Sequence, residues 1–313
     1  MGRYILQRLA GIIAVMLFVS LITFFLMHAV PGGPFEAWAL ERAQIIPEEV
    51  LKSLYEKYGL DKPLWQQYLL FLRNAIRLDF GYSFSSTGRT IVQIFKDHWP
   101  YSIQLGLLTL AFSMVVGLGL GIAAAIKQGT WIDHFGTLVS IFCLVMPSFV
   151  FAVLLQFIFS VRLGWLPTGG WDSPKQWIMP VLANSLGPVL ILQRYTRASM
   201  VDVMRANYVR TARAKGLSEQ RVMLIHVFKN ALTPLVTVAG PMIASLIIGS
   251  FFVESIFRIP GIGAYWVRAI TSRDYPMIMA TTIVWTALIS VTYLITDLVY
   301  ALIDPRVTYV KER

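Results

Sequence analysis

Long apolar stretches dominate the chain, and charged residues bound each of them. Six windows contain no Asp, Glu, Lys or Arg, and they cover residues 9–35, 98–126, 134–161, 176–193, 230–253 and 275–296. A helix needs about 20 apolar residues to cross a bilayer. The windows are apolar on all sides, which is typical of helices that face lipid or lie inside a bundle. We therefore predict six transmembrane helices, within 1–33 and at about 101–126, 135–161, 177–193, 231–253 and 277–300.

Two of these helices contain residues that disturb helical geometry. The fourth is short and carries Pro180, Asn184, Gly187 and Pro188, and the third carries Pro147. Proline removes a backbone donor and kinks a helix, so neighbouring groups must satisfy the freed carbonyls. The pattern is consistent with a bent helix or with a helix that is broken where it lines a pathway.

The composition agrees with a membrane location. Hydrophobic residues make up 56% of the chain and charged residues 14%, and the mean hydropathy is +0.63. Soluble domains carry about 25% charged residues, so this chain has too few charges to coat a soluble globule. The single cysteine, Cys143, excludes an internal disulfide framework and a cysteine-based metal cluster. The fold class is an all-α polytopic membrane protein.

The basic residues predict the orientation. If the N-terminus is inside, 14 Lys and Arg lie in inside segments and five in the short outside segments. The long insertion 34–100 has eight basic and eight acidic residues and is exempt from the count. The first apolar run is too long for a signal peptide, so we predict a retained span. Both termini, including the tail 304–313, are then cytoplasmic.

The insertion 34–100 has the texture of short helices on the outer side of the membrane. Pro47 and Gly59 are suited to begin and end a first helix. Asp61 is suited to cap a second helix. The expected inner faces are Val50, Leu54 and Tyr58 in the first helix, and Trp65, Tyr68, Leu69, Leu72 and Ile76 in the second. Residues 91–99 are expected to form a short amphipathic piece in the interface.

The inside loop 194–230 contains two helical pieces around a break. VDVMRANYVRTARAK is followed by Gly216, which can adopt positive φ and end a helix. Ser218 is suited to cap the next piece, with Glu219 in its first turn and Val222, Ile225 and Phe228 at helical spacing. Such a segment fits a protein groove, an anionic lipid surface or simply a solvated basic loop.

Several short motifs in this order resemble one family. YVRTARAKGL, followed by His226 and Asn230, resembles the cytoplasmic coupling motif of ABC-importer permeases, and most of all the oligopeptide/dipeptide permeases. Arg210 and Thr211 replace the Glu and first Ala of the broad pattern, as in a peptide-permease variant. The same family resemblance extends to YILQRL, PGGPF at 31–35, PEEV at 47–50, DFGYSF at 79–84, LPTGGW at 166–171, PGIG at 260–263, RDYP at 273–276 and IDP at 303–305.

The resemblance implies a type I ABC-importer permease fold, with a core domain at 101–303 and a helical periplasmic insertion. It implies ATP-driven uptake of oligopeptides or dipeptides across the bacterial inner membrane. The partners would be a second homologous permease, two ABC ATPase subunits and an extracytoplasmic peptide-binding protein. ATP and magnesium would bind to the ATPases, and this chain would hold no cofactor. Glutathione, nickel chelates and antimicrobial peptides are alternative cargoes within the family.

The resemblance also assigns candidate functional residues. The coupling motif would be Arg210, Thr211, Ala212, Arg213, Ala214, Lys215, Gly216 and Leu217. Pro260, Gly261, Ile262 and Gly263 would form a periplasmic gate or receptor contact, or simply a turn. Polar residues inside spans either line the pathway or bond across helices, and these are Gln104, Gln156, Asn184 and Asp297.

Other sequence features limit the chemistry. The chain has no phosphate-binding loop, zinc-protease motif or nucleophile elbow, so we expect no catalytic and no metal site. Gly117, Gly119 and Gly121 have the small-residue spacing of a close helix crossing. The net charge of +10 arises largely from the loop 194–230 and indicates topology, not nucleic acid. A proton-coupled secondary transporter and a membrane scaffold remain the rival classes.

Overall fold

The computed structural model describes residues 2–36, 47–86 and 88–303. These residues are helical apart from turns and an isolated β-bridge between Tyr82 and Thr90. The helices are α1 Gly2–Ala29, α2 Glu48–Tyr58, α3 Leu64–Ala75, α4 Ile91–Ser113, α5 Gly119–Ile126, α6 Trp131–Val145, α7 Ser148–Leu155, α8 Pro174–Asn184, α9 Leu186–Met204, α10 Asn207–Ala214, α11 Glu219–Arg221, α12 Lys229–Ile248, α13 Phe251–Ile256, α14 Ile262–Thr271 and α15 Tyr275–Ile303. Three π-helical stretches, Met114–Leu118, Gln156–Arg162 and Val222–Phe228, connect or extend them.

Apolar helices long enough to cross a membrane are fewer than the sequence predicted. Among the described residues they are Leu6–Ala29, Ile91–Ile126, Pro234–Ile256 and Tyr275–Val299. A fifth is obtained if the pair Trp131–Val145 and Ser148–Arg162 counts as one span, although it bends by 102°. Met146 is extended because Pro147 follows it, and this ends α6.

The predicted fourth span falls on two helices. α8 and α9 meet at Ser185, a turn residue, so the segment 177–193 is broken and not continuous. Pro180 lies inside α8. The helix of this span is therefore interrupted at Ser185, and a role of the break in lining a pathway stays a prediction. Six uninterrupted spans are not found in the part of the chain that the structure describes.

The chain divides into two compact units. The first contains residues 1–102 and 260–291, and the second contains residues 103–259 and 292–313. In the first unit, Ile91, Ile94 and Phe95 of α4 pack with Ile262 of α14 and Met277 of α15. Residues 91–99 therefore do not form a separate interfacial piece. They are the first turns of a continuous α4, and their apolar side is covered by α14 and α15.

Helix α2 begins after Pro47 and ends at Gly59 with φ +67°, as predicted, but its buried face differs. Val50 is exposed, whereas Leu51, Leu54, Tyr55 and Tyr58 pack around Phe35, Phe84 and Tyr275. In α3, Tyr68 and Leu72 are half-buried, while Trp65, Leu69 and Ile76 are exposed. Asp61 makes no cap, since Pro63 precedes the helix. The neighbouring aromatic residues, which periodicity does not reveal, decide which face is covered.

Helix α9 is central to the second unit and crosses the segment 117–121 closely. An added Cβ at Gly117 would lie 2.8 Å from Leu192 Cβ, and one at Gly121 would lie 2.6 Å from Thr196 Cβ. Gly119 has open space instead. The predicted close crossing is confirmed for Gly117 and Gly121, four residues apart on one face, and is wrong for Gly119.

Candidate functional site: the segment 207–222 and the polar contacts within each unit

The first predicted helical piece, VDVMRANYVRTARAK, is not one helix: α9 ends at Met204 and α10 begins at Asn207. Helix α10 carries most of the predicted coupling motif and turns one face to its own unit. Val209 and Ala212 are buried and pack with Met200, Val222 and Val227. The opposite face exposes Arg210, Thr211, Ala214 and Lys215. The eight-residue motif therefore contains both an anchor and a free basic surface.

A glycine-dependent turn ends α10. Gly216 has φ +76°, and its N–H donates to the Arg213 carbonyl at 2.9 Å. The N–H of Leu217 donates to the Ala212 carbonyl at 3.4 Å, and Leu217 packs on the apolar cluster beneath. These two bonds form a Schellman motif, which requires a left-handed residue after the helix. The prediction that Gly216 ends the helix is confirmed.

An ion pair spans this turn. Arg213 donates from Nη2 to Glu219 Oε1 at 2.6 Å and from Nε to Oε2 at 3.0 Å. The bond lowers the pKa of the Glu219 carboxyl from its ordinary value and raises the pKa of Arg213. Ser218 makes no side-chain cap, contrary to the prediction. No pattern in the sequence indicated that Arg213 has a partner within the chain.

Beyond the turn, the second helical piece is longer than expected. α11, the π-helical stretch and α12 continue without interruption from Glu219 to Ile248. Val222 is buried and Phe228 half-buried, but Ile225 is exposed. The π geometry rotates the face of Ile225 out of the helical register that the spacing assumed.

The polar residues of the predicted spans are bonded within the second unit. Gln104 Oε1 accepts from Trp171 Nε1 at 2.9 Å, and Asn184 Nδ2 donates to Thr109 Oγ1 at 3.3 Å. Gln156 Nε2 donates to the Thr168 carbonyl at 2.6 Å. Asp297 is half-buried on α15. The three amides thus connect elements of the unit, and whether they also line a pathway stays a prediction.

The turn 260–263 is mostly covered by its own unit. Gly261, Ile262 and Gly263 are buried, and the Ile262 N–H donates to Ser102 Oγ at 2.9 Å. Pro260 is exposed, and its carbonyl accepts a bond from His98 Nδ1 at 2.8 Å. Pro260 is therefore the accessible member of this set in the isolated chain.

A buried carboxylate, missed by the sequence analysis, joins two distant motifs. Asp274 is fully buried and accepts bonds from Ser83 Oγ, from the Ser85 N–H at 3.1 Å and from Ser85 Oγ at 2.8 Å. The N–H of Met277 donates to the other carboxylate oxygen of Asp274, Oδ1, at 3.3 Å. DFGYSF and RDYP therefore meet in space. Both motifs were visible in the sequence, but nothing in it paired them.

The adjacent arginine brings in a third motif. Arg273 Nη1 donates to the Pro31 carbonyl at 2.6 Å and also to the Gly32 carbonyl. PGGPF at the end of α1 is thus held at the start of α15. In the second unit, Asp133 and Arg197 form a comparable link, with two bonds of 2.6 and 2.8 Å. The polar groups of these links hold segments of each unit together.

Comparisons with known proteins place these observations in a family. Residues 117–309 match the family described as "Binding-protein-dependent transport system inner membrane component", and residues 1–106 match its N-terminal counterpart. The dipeptide transport system permease protein DppB of Bacillus subtilis (strain 168) is 38% identical, over 98% of each chain. The oligopeptide transport system permease protein OppB of Haemophilus influenzae is also 38% identical, over 99% of this chain and 100% of the relative.

Solved structures agree on the fold. The MetNI methionine ABC transporter, in an inward-facing conformation, matches with a TM-score of 0.55 at 15% identity, over 68% of this chain and 97% of that chain. An amino acid ABC transporter with histidines matches with a TM-score of 0.50 at 15% identity, over 69% of this chain and 95% of that chain. The chain therefore belongs to the family of inner-membrane components of binding-protein-dependent transport systems, as a multi-pass, non-catalytic permease whose ATPase is on separate subunits.

Proposed function

We propose that this chain is a permease subunit of an ATP-driven importer of peptides. The observation that carries the proposal is similarity along nearly the full length to proteins named dipeptide and oligopeptide permeases, at 37–38% identity. The importer would contain a second, homologous permease, and the two would form the pathway together. An extracytoplasmic binding protein would deliver the peptide.

Helix α10 is the proposed docking element for an ATPase. Its exposed face carries Arg210 and Lys215 beside the small Ala214, which suits a groove with acidic groups and close backbone approach. Val209 and Ala212 anchor the opposite face. A displacement of α10 by a bound partner would therefore be transmitted to α9 and α12 through packed side chains. ATP and magnesium would remain on the partner.

The orientation and the six-span topology are part of the same proposal. With α10 on the ATPase side, both termini are cytoplasmic and α2 and α3 lie outside. α8 and α9 would complete the fourth span as a broken helix. The gate role of residues 260–263 and the pathway roles of Gln104, Gln156, Asn184 and Asp297 stay predictions.

Peptide uptake in a deletion strain tests the cargo. A strain that lacks this chain and requires one amino acid should fail to grow on dipeptides or on tri- to pentapeptides containing it, and the wild-type chain should restore growth. Parallel cultures supplied with glutathione, a nickel chelate or a toxic antimicrobial peptide test the alternative cargoes. Unimpaired peptide uptake in the deletion strain would contradict the proposal.

Purification tests the energy source. The tagged chain, extracted in mild detergent, should bring down a second permease and ATPase subunits. Uptake into proteoliposomes should then require internal ATP. Uptake by the chain alone, driven by a proton gradient, would instead establish a secondary transporter.

A further inference from the structure

Helix α3 packs against the apolar part of α1 within the first unit. The hydroxyl of Tyr68 lies 2.9 Å from Ser20 Oγ and donates to the Leu17 carbonyl at 3.2 Å. The Tyr68 and Phe24 rings are 5.4 Å apart. Farther along α1, His28 Nε2 bonds Gln67 Oε1 at 3.3 Å. The contacts thus run along α1 from Leu17 to His28.

These contacts fix the depth of α3. Leu17 precedes Ala29, the last residue of α1, by about three helical turns, or roughly 18 Å. The apolar segment Leu6–Ala29 crosses a hydrocarbon core about 30 Å thick. The Tyr68 hydroxyl therefore reaches below the surface of the leaflet in which α1 ends. A helix bonded at this level cannot stand clear of the membrane.

The outward side of α3 is apolar. Trp65, Leu69 and Ile76 are 62%, 55% and 85% exposed. Ile76 directly follows α3 and keeps helical backbone angles, so the spacing places the three residues on one side. Residues 64–72 carry no charge, and Arg73 is the charged residue between Trp65 and Ile76. A long arginine side chain can extend toward the headgroups from such a position. Trp65 and Leu69 line a groove shared with Leu21 and Phe25 of α1. This apolar stripe therefore continues the exposed apolar surface of a transmembrane helix.

We infer that α3 is a lateral membrane helix whose apolar stripe, Trp65, Leu69 and Ile76, contacts phospholipid acyl chains. Interfacial helices bury an apolar face about 5–10 Å below the headgroups, and tryptophan is favoured at that level. The apolar stripe is continuous with the exposed apolar side of α1. This continuity favours lipid, and not a water-soluble protein, as the partner of the stripe. Helix α3 thereby holds the insertion between α1 and α4 at a fixed position relative to the membrane surface. The inference rests on the membrane location alone and not on the cargo or the ATPases.

Environment-sensitive labels test the inference. Cys143 is the natural cysteine and is buried, so a Cys143→Ser background leaves engineered cysteines as the labelled sites. Trp65→Cys, Leu69→Cys and Ile76→Cys each receive a bimane label in the full-length chain, purified with its associated subunits. Phe25→Cys on α1 serves as the lipid control, and Lys52→Cys, exposed on α2, serves as the water control.

The labelled proteins are reconstituted in phosphatidylethanolamine and phosphatidylglycerol vesicles. Phosphatidylcholine with a nitroxide near the top of one acyl chain should reduce emission about twofold at positions 65, 69, 76 and 25, and iodide should reduce it at position 52. Iodide quenching at 65, 69 and 76 equal to that at 52 would overturn the inference. Protection from both quenchers would overturn it in favour of a protein contact. Neither quenching measurement depends on transport. The lipid exposure of α3 can therefore be established even if the uptake assay contradicts the proposed function.

Discussion

The guanidinium of Arg213 binds the carboxylate of Glu219 through two hydrogen bonds across the Gly216 turn. Both residues belong to the same segment, so an arginine of the proposed coupling motif is already engaged before any partner binds. The bonds join the end of α10 to the start of α11. Arg213 is therefore better placed to hold the turn than to bind an ATPase.

Glu219→Gln should loosen this turn and weaken coupling. The pair is exposed, so the free energy of unfolding should change by no more than about 1 kcal/mol, whereas uptake per ATP hydrolysed should fall. The control is Asp202→Asn, an exposed acid in the same loop. Equal transport-to-ATPase ratios in the two variants would show that the ion pair has no role in coupling.

The ion pair between Arg213 and Glu219 also predicts how transport depends on pH. The pKa of Glu219 is lowered in the folded chain. The contribution of the ion pair to the stability of the turn is therefore fully present above the ordinary pKa of 4.5, and it is lost as the pH falls through the lowered pKa. The uptake ratio of wild type to Glu219→Gln should therefore stay constant between about pH 6 and pH 8. A ratio that changes across that range would contradict the assigned protonation.

Gly216→Val should disrupt coupling without blocking membrane insertion. Space around Gly216 is open, so the damage comes from φ +76°, which costs a β-branched residue roughly 1–2 kcal/mol. Gly216→Asn is the matched control because asparagine tolerates this conformation. Uptake should be strongly reduced in the valine variant and nearly normal in the asparagine variant, at equal membrane levels. Normal uptake in both would remove the turn from the mechanism.

Asp274→Asn should destabilise the first unit. The buried carboxylate accepts bonds from Ser83, Ser85 and the Met277 N–H, and an amide nitrogen would face some of these donors. The loss should be about 2–3 kcal/mol, which corresponds to a thermal midpoint lower by roughly 5 °C. Asp61→Asn, an exposed acid of the same unit, should leave the midpoint unchanged. A shift of equal size in both variants would indicate a general charge effect.

The close crossing offers a further matched pair. Gly121→Ala places a methyl group 2.6 Å from Thr196 Cβ, whereas Gly119→Ala enters open space. We expect the first to cost about 1–3 kcal/mol and the second less than about 0.5 kcal/mol. Thermal unfolding in detergent, followed by size-exclusion chromatography, measures both. Equal midpoints would show that α9 can move away from the glycine.

Helix ends were predictable from the sequence where the residues of a single segment determine them. Pro47, Gly59 and Gly216 mark helix ends correctly, because proline and glycine act through their own backbone angles. Buried faces were predicted less well. Val50 has helical spacing but is exposed, since the residues that cover α2, Phe35, Phe84 and Tyr275, lie on its other side. Trp65, Leu69 and Ile76 are exposed because α3 turns Tyr68 toward α1 instead.

The sequence alone determined that this chain lies in a membrane and that its exposed basic helix ends at Gly216. Those properties depend on the apolarity of single segments and on individual turn residues. Only the tertiary structure decided that Asp274 joins Ser83 and Ser85 and that Arg273 holds Pro31. These relationships join residues that are far apart in sequence or depend on how helices pack, and no local pattern specifies them.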